Sequence, residues 1–185
     1  MAILSKSVES ASNILSVSRQ QNSQTAQKLL KLDPKLQQAR ELMAKGQFQL
    51  ALGVLPPASR DIEVRNVCAV CLLRTHRYEQ AIDLLRTVAL NSKTNRVRDD
   101  VSDHIRINFA IALFFGGQPA GGLEALQEID REEDPSVVML REHARRWVAE
   151  MSFFRRLDWR LNRVAPTQRP VPPTEPVGMC IWDLA

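Results

Sequence analysis

Residues 74–85 read RTHRYEQAIDLL, and this stretch decides the fold. The aromatic Tyr78, two polar residues and the pair Ala81-Ile82 are the phrase of a tight turn between two helices that lie close together. The phrase occurs earlier as GQFQLAL, from Gly46 to Leu52, and later, more loosely, as GQPAGGL, from Gly117 to Leu123. Three copies of one helix-turn-helix phrase predict a helical repeat array.

Working outward, each copy acquires a helix on either side. Val64, Val67, Cys68, Cys71 and Leu72 form one apolar face before the central turn. Tyr78, Ala81, Ile82, Leu85 and Val88 form the facing one after it. In the first copy, Asp33-Pro34 marks a helix start, because the carboxylate caps free N–H groups and proline suits the first helical position. Leu36, Ala39, Leu42 and Met43 follow, and Pro56-Pro57 cuts the partner helix short. The third pair runs from Asp103 through Ile105, Phe109, Ala110, Leu113 and Phe114, with its partner over Ala120 to Ile129. Between the second and third pairs, the polar stretch from Asn91 to Asp103 is either a loop or the early start of the next helix near Val97.

The flanks differ from the array. Residues 1–31 are rich in Ser, Asn and Gln, with a weak stripe of Leu4, Val8, Ala11 and Leu15. They read as a weakly helical or disordered segment with one short helix near Thr25–Leu32. Residues 32–134 hold the three helix pairs. Asp134-Pro135 repeats the Asp-Pro start, and residues 135–164 contain no later Gly or Pro, so one long basic amphipathic helix is expected to cap the array. Residues 165–185 carry five prolines and are expected to be extended, ending in the apolar phrase MCIWDLA.

Composition bounds the function. The 185 residues are 44% hydrophobic and 25% charged, the balance of a soluble globular chain. A net charge of +4 is too small to signal nucleic-acid binding by itself. The three cysteines, an N-terminus without an apolar signal core and the absence of an apolar run of about 18 residues point to a cytoplasmic protein without a membrane span. Cys68 and Cys71 have C-x-x-C spacing, but they fall mid-helix on an apolar face with no second ligand pair. They read as buried small hydrophobes rather than as a metal or redox site. No catalytic constellation, metal set or cofactor-binding motif stands out, and the chain reads as a non-enzyme without a cofactor.

These phrases resemble the tetratricopeptide (TPR) repeat, a helix-turn-helix unit that stacks into a right-handed α-α superhelix. The small residues that allow close helix approach are matched by Ala39 and Ala51, Ala69 and Ala81, and Ala110 with Gly122. The turn aromatic is matched by Phe48 and Tyr78, with Pro119 in the third copy. The resemblance implies an all-α fold and a protein–protein interaction module, an adaptor or assembly subunit that holds a peptide or helix in a concave groove. It places Arg40, Met43, Asn66, Val70, Leu73, Arg74, Ile107, Ile111, Phe114 and Phe115 on that groove, basic and polar at one end and apolar at the other. Some members clamp a C-terminal carboxylate, but the matching positions here are Leu36, Arg40, Val67, His104 and Asn108, and none carries the required side-chain type.

Two further features offer alternatives. Arg141, Arg145, Arg146, Arg155, Arg156, Arg160 and Arg163 line the capping helix. With Arg169, residues 136–169 carry a net +5, which suits a nucleic-acid or anionic-surface binder. A small chaperone for a secreted client is a third reading, and a homo-oligomer is compatible with the sequence. Finally, Ile181, Trp182 and Leu184, with Met179, place large apolar side chains on a tether that reaches roughly 43 Å. Such a terminus is expected to dock, either on the groove of its own chain or on a partner.

Overall fold

In a computed structural model, residues 33–91, 94, 97–98, 100–129, 131–162 and 169–184 are described. The segment 1–31, including the helix expected near Thr25–Leu32, lies outside them, as does Arg163. Among the described residues there are eight α-helices and no strand. They are α1 (Pro34–Ala44), α2 (Phe48–Val54), α3 (Ile62–Arg74), α4 (Tyr78–Ala89), α5 (Asp103–Phe115), α6 (Pro119–Gln127), α7 (Pro135–Ala149) and α8 (Phe153–Asn162). A short 3₁₀ turn follows at Ile181–Leu184.

The helix starts follow the local chemistry. Asp33 accepts from the Lys35 N–H at 2.8 Å and Asp134 from the Ser136 N–H at 2.9 Å, each beside a proline in the first turn. Asp61 caps α3 through the Glu63 N–H at 2.8 Å.

The three repeated turns share one geometry. The N–H of Gln47 donates to Leu42 O, that of Arg77 to Leu72 O and that of Gln118 to Leu113 O, at 2.9, 2.9 and 2.8 Å. This six-to-one bond closes a helix whose next residue has left-handed backbone. Gly46, His76 and Gly117 hold that position with φ of 71°, 58° and 89°. Glycine suits the first and third; in the second, His76 accepts the strain, and its Nδ1 lies 2.8 Å from the Tyr78 hydroxyl.

Helices pack in sequence from α1 to α6, while α1 also meets α3 and α3 meets α5, so the first helices of successive hairpins stack on one another. The small residues sit where helices touch. Ala39, Ala51, Ala69, Ala81 and Ala110 are fully buried. A Cβ at Gly122 would lie 2.8 Å from both Ala110 O and Phe114 N. Helix α5 begins at Asp103 rather than near Val97, and Val97 instead forms an isolated bridge with Leu90.

One long helix over 135–164 is not formed. The chain breaks at Glu150–Ser152 and changes direction into α8, and the Arg156 guanidinium covers the freed end of α7 by donating to Ala149 O and Met151 O. Two tryptophans account for the break. Trp147 and Trp159 are both buried, with ring centroids 5.1 Å apart and planes at 81°. In a continuous helix they would be separated by about 18 Å along the axis. The bend lets both leave water together.

A self-occupied groove as candidate site

The inner helices α3 and α5 are buried on nearly every side, with nine and eleven buried residues respectively. A helix in a stacked array leaves one face for the groove, so something must cover that face here. Two elements do.

The tail covers the first half. Asn66, from α3, and Asn108, from α5, are both fully buried, and their amides meet between the helices. Asn108 Nδ2 donates to Asn66 Oδ1 at 2.8 Å and to Met179 O at 2.7 Å. Asn66 Nδ2 donates to the same carbonyl at 3.2 Å, and the Met179 N–H donates to Asn108 Oδ1 at 2.8 Å. Buried amides demand partners, and here the main chain of the tail supplies them. Arg74, at the end of α3, donates through Nε to Val177 O at 3.3 Å and through Nη2 to Gly178 O at 3.0 Å. Its guanidinium also lies over the Phe48 ring at 5.5 Å and 3.9 Å from the Asp183 carboxylate.

Gly178 makes this close approach feasible. Its φ is +92°, and a Cβ there would fall 3.2 Å from Leu73 and 3.3 Å from Val70. Beyond it the chain dives inward: Cys180 is fully buried and Ile181 nearly so, while Trp182 and Leu184 are half-buried. Asp183 accepts from the Cys180 N–H at 2.8 Å and caps the final turn. Upstream, Arg169 reaches Glu79 at 3.1 Å and runs past Gly117, so at this point the chain lies on the turn side of the array.

Helix α7 covers the other half. Phe114 meets Trp147 edge-on at 6.0 Å, and Phe115 meets His143 at 5.8 Å. The apolar end of the groove expected to receive a partner is therefore closed. Ile107, Ile111, Phe114 and Phe115 are core residues, Met43 is buried at the first end, and Arg40 remains exposed. The physical reason is the packing of α7 across α5 through His143 and Trp147.

The sequence reading brought Asn66, Val70, Leu73 and Arg74 to one surface, and they do line the tail. It missed Asn108, Gly178 and Asp183. An amide on each of two otherwise apolar inner helices was the available signal, because each needs a buried polar partner.

The described arginines of the expected strip are divided between α7 and α8. Arg141 pairs with Glu132 at 3.5 Å, Arg146 pairs with Glu142 at 3.1 Å, and Arg156 is committed to the end of α7. Arg145, Arg155 and Arg160 are exposed.

Burial pushes the Cys68 thiol up to about 11 and Cys71 to about 12, and holds Cys180 well above its usual range. All three stay protonated at neutral pH and act as small apolar side chains. No group of three or more His, Cys, Asp or Glu among the described residues is placed to hold a metal ion. No helix among them is long and apolar enough to cross a membrane.

No family model matches the chain, and no curated protein or solved structure matches it either.

Proposed function

We propose that this chain is a TPR-like, non-catalytic interaction module that binds an extended peptide along its inner helices, with residues 177–184 as the resident occupant. One observation carries the reading. Asn66, Asn108 and Arg74 direct their polar atoms at the backbone of Val177, Gly178 and Met179, not at its side chains. Main-chain reading of an extended segment, with pockets for alternate side chains, is how peptide-binding surfaces combine affinity and selectivity.

The pocket defines its ligand by chemistry. It takes a residue without a Cβ opposite Val70 and Leu73, then an amide between the two asparagines. An apolar turn follows, closed by a carboxylate near Arg74. A partner segment of this kind, or the tail of a second copy, competes with the resident tail. The tether makes the resident tail a strong competitor, because its local concentration is on the order of millimolar. Three unpaired thiols suit work in a reducing cytoplasm.

The test uses the full chain. Gly178→Val should expel the resident tail, since its side chain meets Val70 and Leu73 in a backbone conformation valine avoids. A labelled peptide with the sequence of residues 177–184 should then bind this variant at least about tenfold more tightly than wild type. Adding Asn108→Ala to the variant should abolish binding. A folded Gly178→Val variant that ignores the peptide contradicts the proposal.

A further inference from the structure

Helix α8 is held to the body by Trp159, which is 4% exposed and packed on Trp147. The remaining large apolar side chains of this helix point elsewhere. Phe153 is 72% exposed, Phe154 80%, Leu157 45% and Leu161 73%. They are four of the eight large hydrophobic residues exposed among the described residues. At 3.6 residues per turn they share an arc of about 100°, centred nearly opposite Trp159. The helix is thus pinned by one face and presents an apolar one to solvent.

The borders of that arc are charged. Arg156 and Arg160 follow one edge, and Asp158, engaged by Asn162 at 2.7 Å, lies at the other. Arg160 forms no ion pair with a described residue. The ten residues of α8 carry three arginines against one aspartate.

We propose that α8 is an interfacial helix that lays Phe153, Phe154, Leu157 and Leu161 into an anionic lipid surface, with Arg160 at the headgroups. A helix with aromatic and Leu residues on one face and arginine on the other has the chemistry that inserts a few ångströms into the headgroup boundary. At about 15 Å the helix is far too short to span a bilayer, so the attachment is peripheral and reversible. Charge favours lipid over a second copy: each helix carries three arginines against one aspartate, an excess that repels a second copy and that anionic headgroups neutralise. The tail is not the occupant, because residues 177–184 already fill the groove between α3 and α5.

Sedimentation of the full chain with vesicles tests this. Vesicles of phosphatidylglycerol and phosphatidylcholine should carry the protein down, pure phosphatidylcholine much less, and added salt should weaken the binding without abolishing it. Phe154→Ser with Leu161→Ser should reduce binding by about tenfold or more while melting like wild type, since both side chains are already in water. Arg160→Glu should reduce it on anionic vesicles only. Failure of the wild type to bind anionic vesicles overturns the proposal, as does wild-type binding by the folded serine variant. A dimer in solution that the serine variant converts to monomer, without vesicle binding, assigns the face to a second copy instead.

Discussion

Asn108 holds both sides of one peptide unit pair: its Nδ2 donates to Met179 O at 2.7 Å, and its Oδ1 accepts from the Met179 N–H at 2.8 Å. A residue 71 positions away in sequence is thereby bound as a neighbouring strand would bind it. The grip is independent of the Met179 side chain, and it fixes the register of everything that follows.

Asn108→Ala should therefore release the tail. Two hydrogen bonds to the tail are lost, with a third to Asn66, and the Met179 N–H is stranded, so tail docking should weaken by about 2–4 kcal/mol. Limited proteolysis after residue 169 reads this directly. The same substitution in a chain already carrying Gly178→Val should cost much less, because the interaction is already gone.

The turns provide a prediction of opposite signs. Gly46 has room for a Cβ but a φ of 71°, so Gly46→Ala should destabilise the fold by about 1 kcal/mol from backbone strain alone. His76→Gly relieves the same strain but gives up the contact with Tyr78, so it should be near neutral or stabilising. Thermal melts of the two variants distinguish them.

Close helix approach limits size at two equivalent positions. Ala81→Leu and Gly122→Ala should each cost on the order of 1–3 kcal/mol by overpacking. For Gly122 the added Cβ meets backbone atoms, which cannot rotate away. Wild-type melting of either variant means that the helix pairing is different.

The thiols make stability fall in alkali. Unfolded cysteines ionise near 9, whereas burial raises Cys68 to about 11 and Cys71 to about 12. Folded-state values above the unfolded ones mean that their contribution is intact below pH 9 and is lost as pH rises from about 9 to 12. Denaturant melts across that range should show the decline, and replacing Cys68 and Cys71 with Ala should flatten it. Cys180 lies on the tail, so alkylation of Cys180 should accelerate in Asn108→Ala at neutral pH.

Local chemistry was legible in the sequence. Asp33-Pro34, Asp134-Pro135 and the repeated turn phrases each encode a helix boundary in a few residues, and the small positions Ala81 and Gly122 encode close packing. The break in the capping region was not legible, because no Gly or Pro marks it. It arises from Trp147 and Trp159, which are far apart in an unbroken helix and pack together only when the chain bends. The site was half legible for a similar reason. Arg74 and Val70 follow from the repeat register, but the role of Asn108 depends on a segment 71 residues later. The direction in which an apolar tail folds is set by tertiary contacts, not by its own pattern.

Amide hydrogen exchange on the full chain tests the central claim most directly. A tail docked as described predicts slow exchange at Met179, Cys180 and Asp183, whose N–H groups donate to Asn108 Oδ1, Asp183 Oδ2 and Cys180 O. That protection should disappear in Gly178→Val while the amides of α3 and α5 remain protected. Free exchange of Met179 in the wild-type protein, at the rate of an unstructured peptide, would contradict the account.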